Sequence, residues 1–323
     1  MTQGSESGSE TKKAKPSRLW AWVQLLRAPN LLTVPGDPLA GALLALAAGV
    51  PARGVPLRLA IAGAVSLLLY SAGLLWNDWF DLAEDRRDRP HRPLPAGLVH
   101  PGKVALAANV MVAGAVALAA LTGQAALYVA VVLGACVLAY NAFAKRIRLL
   151  GPLLMGACRG LSVLLGAAAM APDGLLVSPV GAHAAGTLLY IAAVTWLASG
   201  ETRRRPVGLP LAAISIAALV WLSGLLIAAV AEPAPYRPSL LPFMAYFGWA
   251  SLFVLWLVAA LLPLIGRPSP DLVQSTVGKL ICGLVLAQAA AAALTGTPGL
   301  YVAVALTACA VANSRLAKRF YAS

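Results

Sequence analysis

Long apolar runs free of charge alternate along the chain with short polar intervals, falling at roughly 31–50, 59–76, 104–122, 125–140, 149–171, 181–199, 207–230, 240–264, 277–294 and 299–312. A helix needs about 20 apolar residues to cross the hydrocarbon core of a bilayer, because each residue advances it only about 1.5 Å. The pattern predicts an all-α fold, a polytopic transmembrane helical bundle with nine to ten spanning helices. The tenth run, about 14 residues long, is the short one. Residues 1–17 are polar and rich in Ser, Gly and Lys, with no short apolar core or cleavage site. They read as a disordered cytoplasmic tail, and residues 18–323 as a single membrane domain without a solenoid repeat.

Composition agrees with that pattern. Apolar residues make up 60% of the 323 positions and charged residues 11%, with a mean hydropathy of +0.79. An ordinary soluble domain has roughly 45–50% and about 25%. The net charge of +13 would suggest nucleic-acid binding in a soluble protein, but here the basic residues sit in short loops with no interleaved aromatics. Membrane lipids are the expected surroundings, and no nucleic acid is expected as a partner. With the N-terminus placed in the cytoplasm, 21 of the 25 Lys and Arg fall on the cytoplasmic side. Arg53, Arg58 and Arg237 fall outside, and Arg159 lies within the fifth run. The split favours ten crossings, because nine would strand Arg315, Lys318 and Arg319 outside. Cys136, Cys158, Cys282 and Cys309 lie inside apolar runs without metal-ligand spacing, so neither disulfides nor structural zinc are expected.

Five of the twelve acidic residues crowd into Asn77-Asp78-Trp79-Phe80-Asp81-Leu82-Ala83-Glu84-Asp85-Arg86-Arg87-Asp88, at the cytoplasmic end of the second run. On a continuing helix Asn77, Asp81 and Asp85 stand at i, i+4 and i+8, which puts three oxygen donors on one stripe. Such a set suits Mg²⁺, which binds through a few carboxylates together with substrate phosphates. Arg89 and Arg92 follow, the latter opening the stiff run Pro93-Leu94-Pro95-Ala96-Gly97, and a guanidinium held there can bond two phosphate oxygens at once. Glu84, Arg86, Arg87 and Asp88 read as a solvated interfacial set. Lys145, Arg146 and Arg148 form the next cationic loop, as anion binders or as orientation signals. Glu201 precedes Arg203, Arg204 and Arg205 in a third polar loop. Two charges lie deeper, Arg159 between Gly156 and Gly160, and Asp37 between Pro35-Gly36 and Pro38. Intramembrane charges require partners: Arg159 is placed to reach a phosphate, Glu201 or Asp37. The three histidines carry no ligand spacing.

Asn77 to Asp85, NDWFDLAED, fits the N-D-x-x-D-x-x-x-D signature of the UbiA superfamily of intramembrane prenyltransferases, and Arg92 to Gly97, RPLPAG, resembles the R-P-L-x-x-G that follows it there. Leu25 to Gly41 and Tyr140 to Arg146 resemble further landmarks of that family. The resemblance implies an integral membrane enzyme of the bacterial inner (cytoplasmic) membrane with its active-site loops in the cytoplasm. Such an enzyme binds a polyprenyl diphosphate through Mg²⁺ and passes the prenyl group to a small lipophilic acceptor, often an aromatic ring. By matched position Asn77, Asp81 and Asp85 become metal ligands and Arg92 and Lys145 diphosphate partners, with Arg89, Arg146 and Arg159 as further substrate contacts. The family's second acidic motif is reduced here to Ser199-Gly200-Glu201-Thr202, leaving Glu201 as its catalytic remnant. That variant and the Pro35 to Gly41 opening resemble the UbiA-like EboC subgroup. The reduced motif also leaves open a non-catalytic relative that binds or translocates an isoprenoid-linked metabolite.

Overall fold

The computed structural model describes residues 17–27, 31–199, 207–233, 237–266 and 268–321, with the last ten of these by backbone alone. The N-terminal tail, Glu201 and Arg203 to Arg205 therefore lie outside the described residues. Twelve α-helices and no strand occur among those described. They are α1 (Arg18–Leu25), α2 (Gly36–Ala47), α3 (Val55–Phe80), α4 (Leu82–Asp88), α5 (Pro101–Ala120), α6 (Gln124–Ala142), α7 (Leu150–Met170), α8 (Ser178–Ala198), α9 (Gly208–Ala231), α10 (Leu240–Leu261), α11 (Pro270–Ala293) and α12 (Thr297–Tyr321).

Local chemistry sets several of the boundaries. The Ser17 and Ser269 hydroxyls accept from the Trp20 and Leu272 amides, and His100 Nδ1 accepts from the Gly102 amide, capping the starts of α1, α11 and α5. Proline at the first turn of α3, α5, α8 and α11 fits the same logic, since the amide it lacks has no helical partner there. Gly123, at φ +136°, turns the chain between α5 and α6.

Among the described residues eight helices are long and apolar enough to cross a membrane, and the molecule is accordingly a helical integral membrane protein. The apolar helices Gly36–Ala47 and Thr297–Val311 are shorter and account for the first and last runs. The first run spans 20 residues of sequence but α2 only 12, because the chain is broken at Pro35-Gly36-Asp37-Pro38 and the helix begins only there. Helices α3, α7, α8 and α11 bury most of their surface, whereas α5, α6, α9 and α10 present side chains such as Leu106, Val131, Leu219 and Leu255 outward, as a lipid-facing ring does.

Close helix crossings depend on glycine. A Cβ on Gly41 would meet the Val163 carbonyl, and one on Gly166 the Pro38 carbonyl, so α2 and α7 touch backbone to backbone. Gly156 faces the Leu188 carbonyl of α8 in the same way. Lipid tails are as apolar as the side chains, so such contacts supply packing where the hydrophobic effect does not. At the far end of α7, Arg58 donates to the carbonyls of Thr122 and Ala169 at 2.6 Å each, which ties α3 to the ends of α5 and α7.

A methyl added by Gly166→Ala has only the Pro38 backbone to displace. It is expected to cost about 1–3 kcal/mol, read as a lowered melting temperature of the detergent-solubilised protein. Gly224→Ala, where nothing lies within 4 Å of the added carbon, should leave the melt unchanged.

Candidate active site

The acidic stripe sits where α3 gives way to α4. Asp81 has non-helical backbone angles (φ −90°, ψ 2°) and divides the two helices. Hydrogen bonds from Asp81 N to Asn77 O (3.0 Å) and from Asp85 N to Asp81 O (2.8 Å) carry the helical spacing through the break. The stripe therefore survives the interruption. Every carboxylate on it meets a cation supplied by another segment.

Lys145 comes from the 3₁₀ turn Ala144–Arg146 after α6, which is pinned by the fully buried Ala144 and the close approach of Gly151. Its Nζ lies 2.7 Å from Asp81 Oδ1 and 3.3 Å from Asn77 Oδ1. Arg92 comes from the loop before α5, where buried Leu94 and Val99 pack on Leu75, Trp76 and Val104 and the turn closes at Gly97 (φ +74°). Its Nη1 donates to both oxygens of Asp85, at 3.1 and 2.9 Å, and the Asp85 side chain is only 4% exposed. Arg89 stands 3.8 Å from the same carboxylate.

Asp78 has no site role in the sequence reading, yet it faces inward, 3.6 Å from Arg27 and 4.0 Å from Arg92. Its buried Oδ1 accepts no hydrogen bond among the described residues. The spacing carried a signal, since Asp78 and Asp85 stand two turns apart on one helical face. Arg27 is the only described non-glycine residue at positive φ (+45°), a conformation kept only where surroundings impose it. Glu84, Arg86, Arg87 and Asp88 are exposed, as expected. Arg146 is exposed too and makes no contact with this cluster among the described residues. Glu201 lies outside the described residues.

Beneath the cluster a cavity of about 290 Å³ opens between α3, α6, α7, α8 and α11. Asn77 and Arg27 line it near the acids, which joins the stripe to the chamber. Leu69, Leu133, Val137, Ile191, Ile281 and Leu284 make most of the wall apolar, and Tyr70 and Tyr140 add two aromatic rings. Polar groups return at Ser66 and Ser162, whose hydroxyls are 2.7 Å apart, and at Thr33 and Arg159.

Arg159 and Asp37 prove to be partners of each other, with Nε to Oδ2 at 2.8 Å. Asp37 is fully buried in the first turn of α2, where the helix N-terminus favours its charge. The Arg159 Nη2 donates to Thr33 O at 3.2 Å. Fully buried Gln288 of α11 donates its Nε2 to both Thr33 O and Asp37 Oδ1. A side chain at Gly36 would occupy the place of the Gln288 amide. His183, by contrast, is a core histidine whose Nδ1 accepts from Trp221 Nε1.

The sequence profile of the UbiA prenyltransferase family matches residues 38–268. Digeranylgeranylglyceryl phosphate synthase of Natronomonas pharaonis is 28% identical over 241 residues, covering 74% of this chain and 83% of the relative. The synthase of the same name from Methanoculleus marisnigri is 29% identical over 179 residues, 55% of this chain and 58% of the relative. Among solved structures, a UbiA homolog from Archaeoglobus fulgidus bound to DMAPP and Mg²⁺ superposes with a TM-score of 0.58 at 13% identity, over 86% of this chain and 100% of that one. The apo UbiA homolog from Aeropyrum pernix K1 gives 0.56 at 22% identity, over 79% and 97%. These superpositions establish the common fold, and the profile spans most of the membrane domain: the chain belongs to the UbiA prenyltransferase family.

Proposed function

We propose that the protein transfers a prenyl group from a polyprenyl diphosphate, held with Mg²⁺ at the acidic rim, to a lipophilic acceptor in the apolar cavity below. The observation that carries this reading is the joining of the two at Asn77, which both contacts Lys145 and lines the chamber.

The donor set suits a hard cation. Asn77, Asp81 and Asp85 offer oxygen alone, and buried Asp78 Oδ1 still lacks a hydrogen bond. Among the described residues no three acidic, His or Cys side chains are drawn together as a ready cage, because Lys145 and Arg92 stand against Asp81 and Asp85. The charge balance supports the assignment. Three carboxylates (Asp78, Asp81, Asp85) meet four cations (Arg27, Arg89, Arg92, Lys145), leaving one positive charge that a singly negative magnesium diphosphate would balance. Asn77, Asp81 and Asp85 would hold the metal. The chemistry it supplies when bound is neutralisation of the charge growing on the departing diphosphate.

The chain's own groups do the rest. Arg92 and Lys145, with Arg89, bind the diphosphate oxygens and are worth most when negative charge has developed there. Apolar walls keep water from an electron-poor allylic carbon, and the faces of Tyr70 and Tyr140 favour positive charge. Glu201, which follows α8 in the sequence and lies outside the described residues, is the acid proposed to stand in for the second acidic motif. The acceptor is either an aromatic ring or, following the names of the archaeal relatives, a glyceryl phosphate lipid. The active-site loops face the cytoplasm, which the basic asymmetry supports.

Purified protein in nanodiscs, supplied with labelled geranylgeranyl diphosphate and an acceptor panel, should transfer the label with Mg²⁺ and not with EDTA. Asp81→Ala and Asp85→Ala should lose about 100-fold or more in turnover, and Glu201→Gln should lower turnover with little change in diphosphate affinity. Transfer that ignores Mg²⁺, or undiminished diphosphate binding in both aspartate variants, would refute the assignment.

The buried Asp85 carboxylate also makes a stability prediction. Arg92→Ala leaves it without the nitrogen that donates to both its oxygens and should cost about 3 kcal/mol in detergent melts, while Asp85→Asn combined with Arg92→Ala should recover much of that loss. Separately, a reporter fused after Ser323 should be active only on the cytoplasmic side.

A further inference from the structure

The rim and the inner end of the cavity differ in electrical character. At the rim the described cations outnumber the acids. At the inner end Arg159 is matched by Asp37 one for one, and the other polar groups there, Thr33 O, Gln288, Ser66 and Ser162, are uncharged. Asp37 and Gln288 both lie outside the residues matched by the family profile.

Arg159 is not fully used by this pairing. Its Nε faces Asp37 as an ion pair without an aligned hydrogen bond and its Nη2 donates to Thr33, while no hydrogen bond from Nη1 occurs among the described residues, and the side chain lines the cavity. An apolar prenyl tail laid against that nitrogen would leave a buried donor unsatisfied, which costs free energy. A carboxylate or phosphate there would bring a charge that the neutral Asp37–Arg159 pair cannot offset in a low-dielectric chamber. An uncharged oxygen acceptor meets both conditions.

We infer that the inner end of the cavity is an acceptor-head site, in which the Asp37-anchored Arg159 guanidinium donates to a neutral carbonyl, quinone or phenol oxygen and discriminates against anionic heads. This rests on the prenyl-transfer reading for its purpose, and it names the acceptor class that reading left open. Depth fits the assignment. Asn77 lies three residues inside the end of α3 and Arg159 nine inside the start of α7, so the two levels differ by roughly 9 Å along the bundle. That is about the span of one substituted ring, whose far carbon would then face the rim. Asp37 and Gln288 act as positioning residues: they fix the guanidinium plane and cancel its charge, and touch no substrate themselves.

The test is equilibrium binding to full-length protein in nanodiscs of two matched probe pairs, 4-hydroxyacetophenone against 4-hydroxybenzoate and geranylgeranylglycerol against geranylgeranylglyceryl phosphate. Wild type should bind the neutral member of at least one pair about tenfold more tightly or better. Asp37→Asn, which leaves the guanidinium charge unmatched, should reverse that preference, and Arg159→Gln, which removes the donor and leaves a carboxylate, should weaken the neutral probe about tenfold while still rejecting the anionic one. Geranylgeranyl diphosphate should still bind these variants in the presence of Mg²⁺, an outcome that general loss of structure would not give. If Asp37→Asn does not fold, the charge-free Asp37→Asn/Arg159→Gln protein carries the test: it should still reject the anionic probes, having gained no charge, but bind the neutral ones about tenfold more weakly. Preference of wild type for the anionic members, no binding of either neutral probe, an unchanged preference in Asp37→Asn, or undiminished neutral-probe binding in Arg159→Gln or the double variant overturns the inference. A retained neutral preference in protein that transfers no prenyl group would instead overturn the transferase reading and leave the cavity assignment standing.

Discussion

An ionised group carried into or against the hydrocarbon core costs a few kcal/mol unless a partner of opposite sign comes with it. The polar layers of this protein follow from that constraint. At the membrane edge Asp78, Asp81 and Asp85 come from one helix end, and their cations come from three other segments: the end of α1, the loop before α5 and the turn after α6. Charge matching thus draws together parts of the chain up to 118 positions apart, from Arg27 to Lys145. Deeper, where water is scarcer, the matching is one to one, and Gln288 adds a hydrogen bond to the other oxygen of Asp37.

Packing makes the deeper pairing geometrically available. Asp37 sits in the first turn of α2 and Arg159 in the middle of α7, and they meet because Gly41 and Gly166 let those two helices touch at the backbone. A larger residue at either glycine would move the carboxylate away from its partner. The small residues of the apolar runs, bland when taken singly, are therefore part of the electrostatics of the site. Gly36 makes the same point at shorter range, by leaving the volume that the Gln288 amide fills.

Much of this was legible in the sequence, and the parts that were not have physical reasons. Apolar length alone located all ten apolar helices, and acid density located the rim, because both are local properties of the chain. The donors on Asn77, Asp81 and Asp85 could be placed by helical spacing, and that spacing held through the break at Asp81. Arg27 was counted only as an orientation signal, since nothing local says that a basic residue will fold back onto an acid 51 positions later. Gln288 carried no charge to mark it within an alanine-rich run, and its role depends on α11 reaching the α2 entry, a contact across 251 positions. The Asp37–Arg159 pairing was one of several partners open to Arg159. Only the close α2–α7 crossing selects it.

For the proposed reaction the two layers divide the chemistry by charge. A polyprenyl diphosphate gains anionic character at its leaving group as the carbon–oxygen bond lengthens, so groups that stabilise this change must stand on the leaving-group side and be in cationic excess. An equal excess on the acceptor side would pull the diphosphate inward or trap it after cleavage, and would raise the energy of the carbon centre, which becomes positive at that moment. The Asp37–Arg159 pair avoids this while keeping a directional donor in place: its dipole can orient an incoming molecule, yet its net charge is zero. Apolar wall and aromatic faces then separate a charged rim from a neutral inner end, and in the proposed reaction the reacting carbon would lie between them. In the proposed reaction product polarity would follow the same division, because the anion formed would lie next to the polar surface through which it can leave, and the lengthened lipid within the apolar chamber.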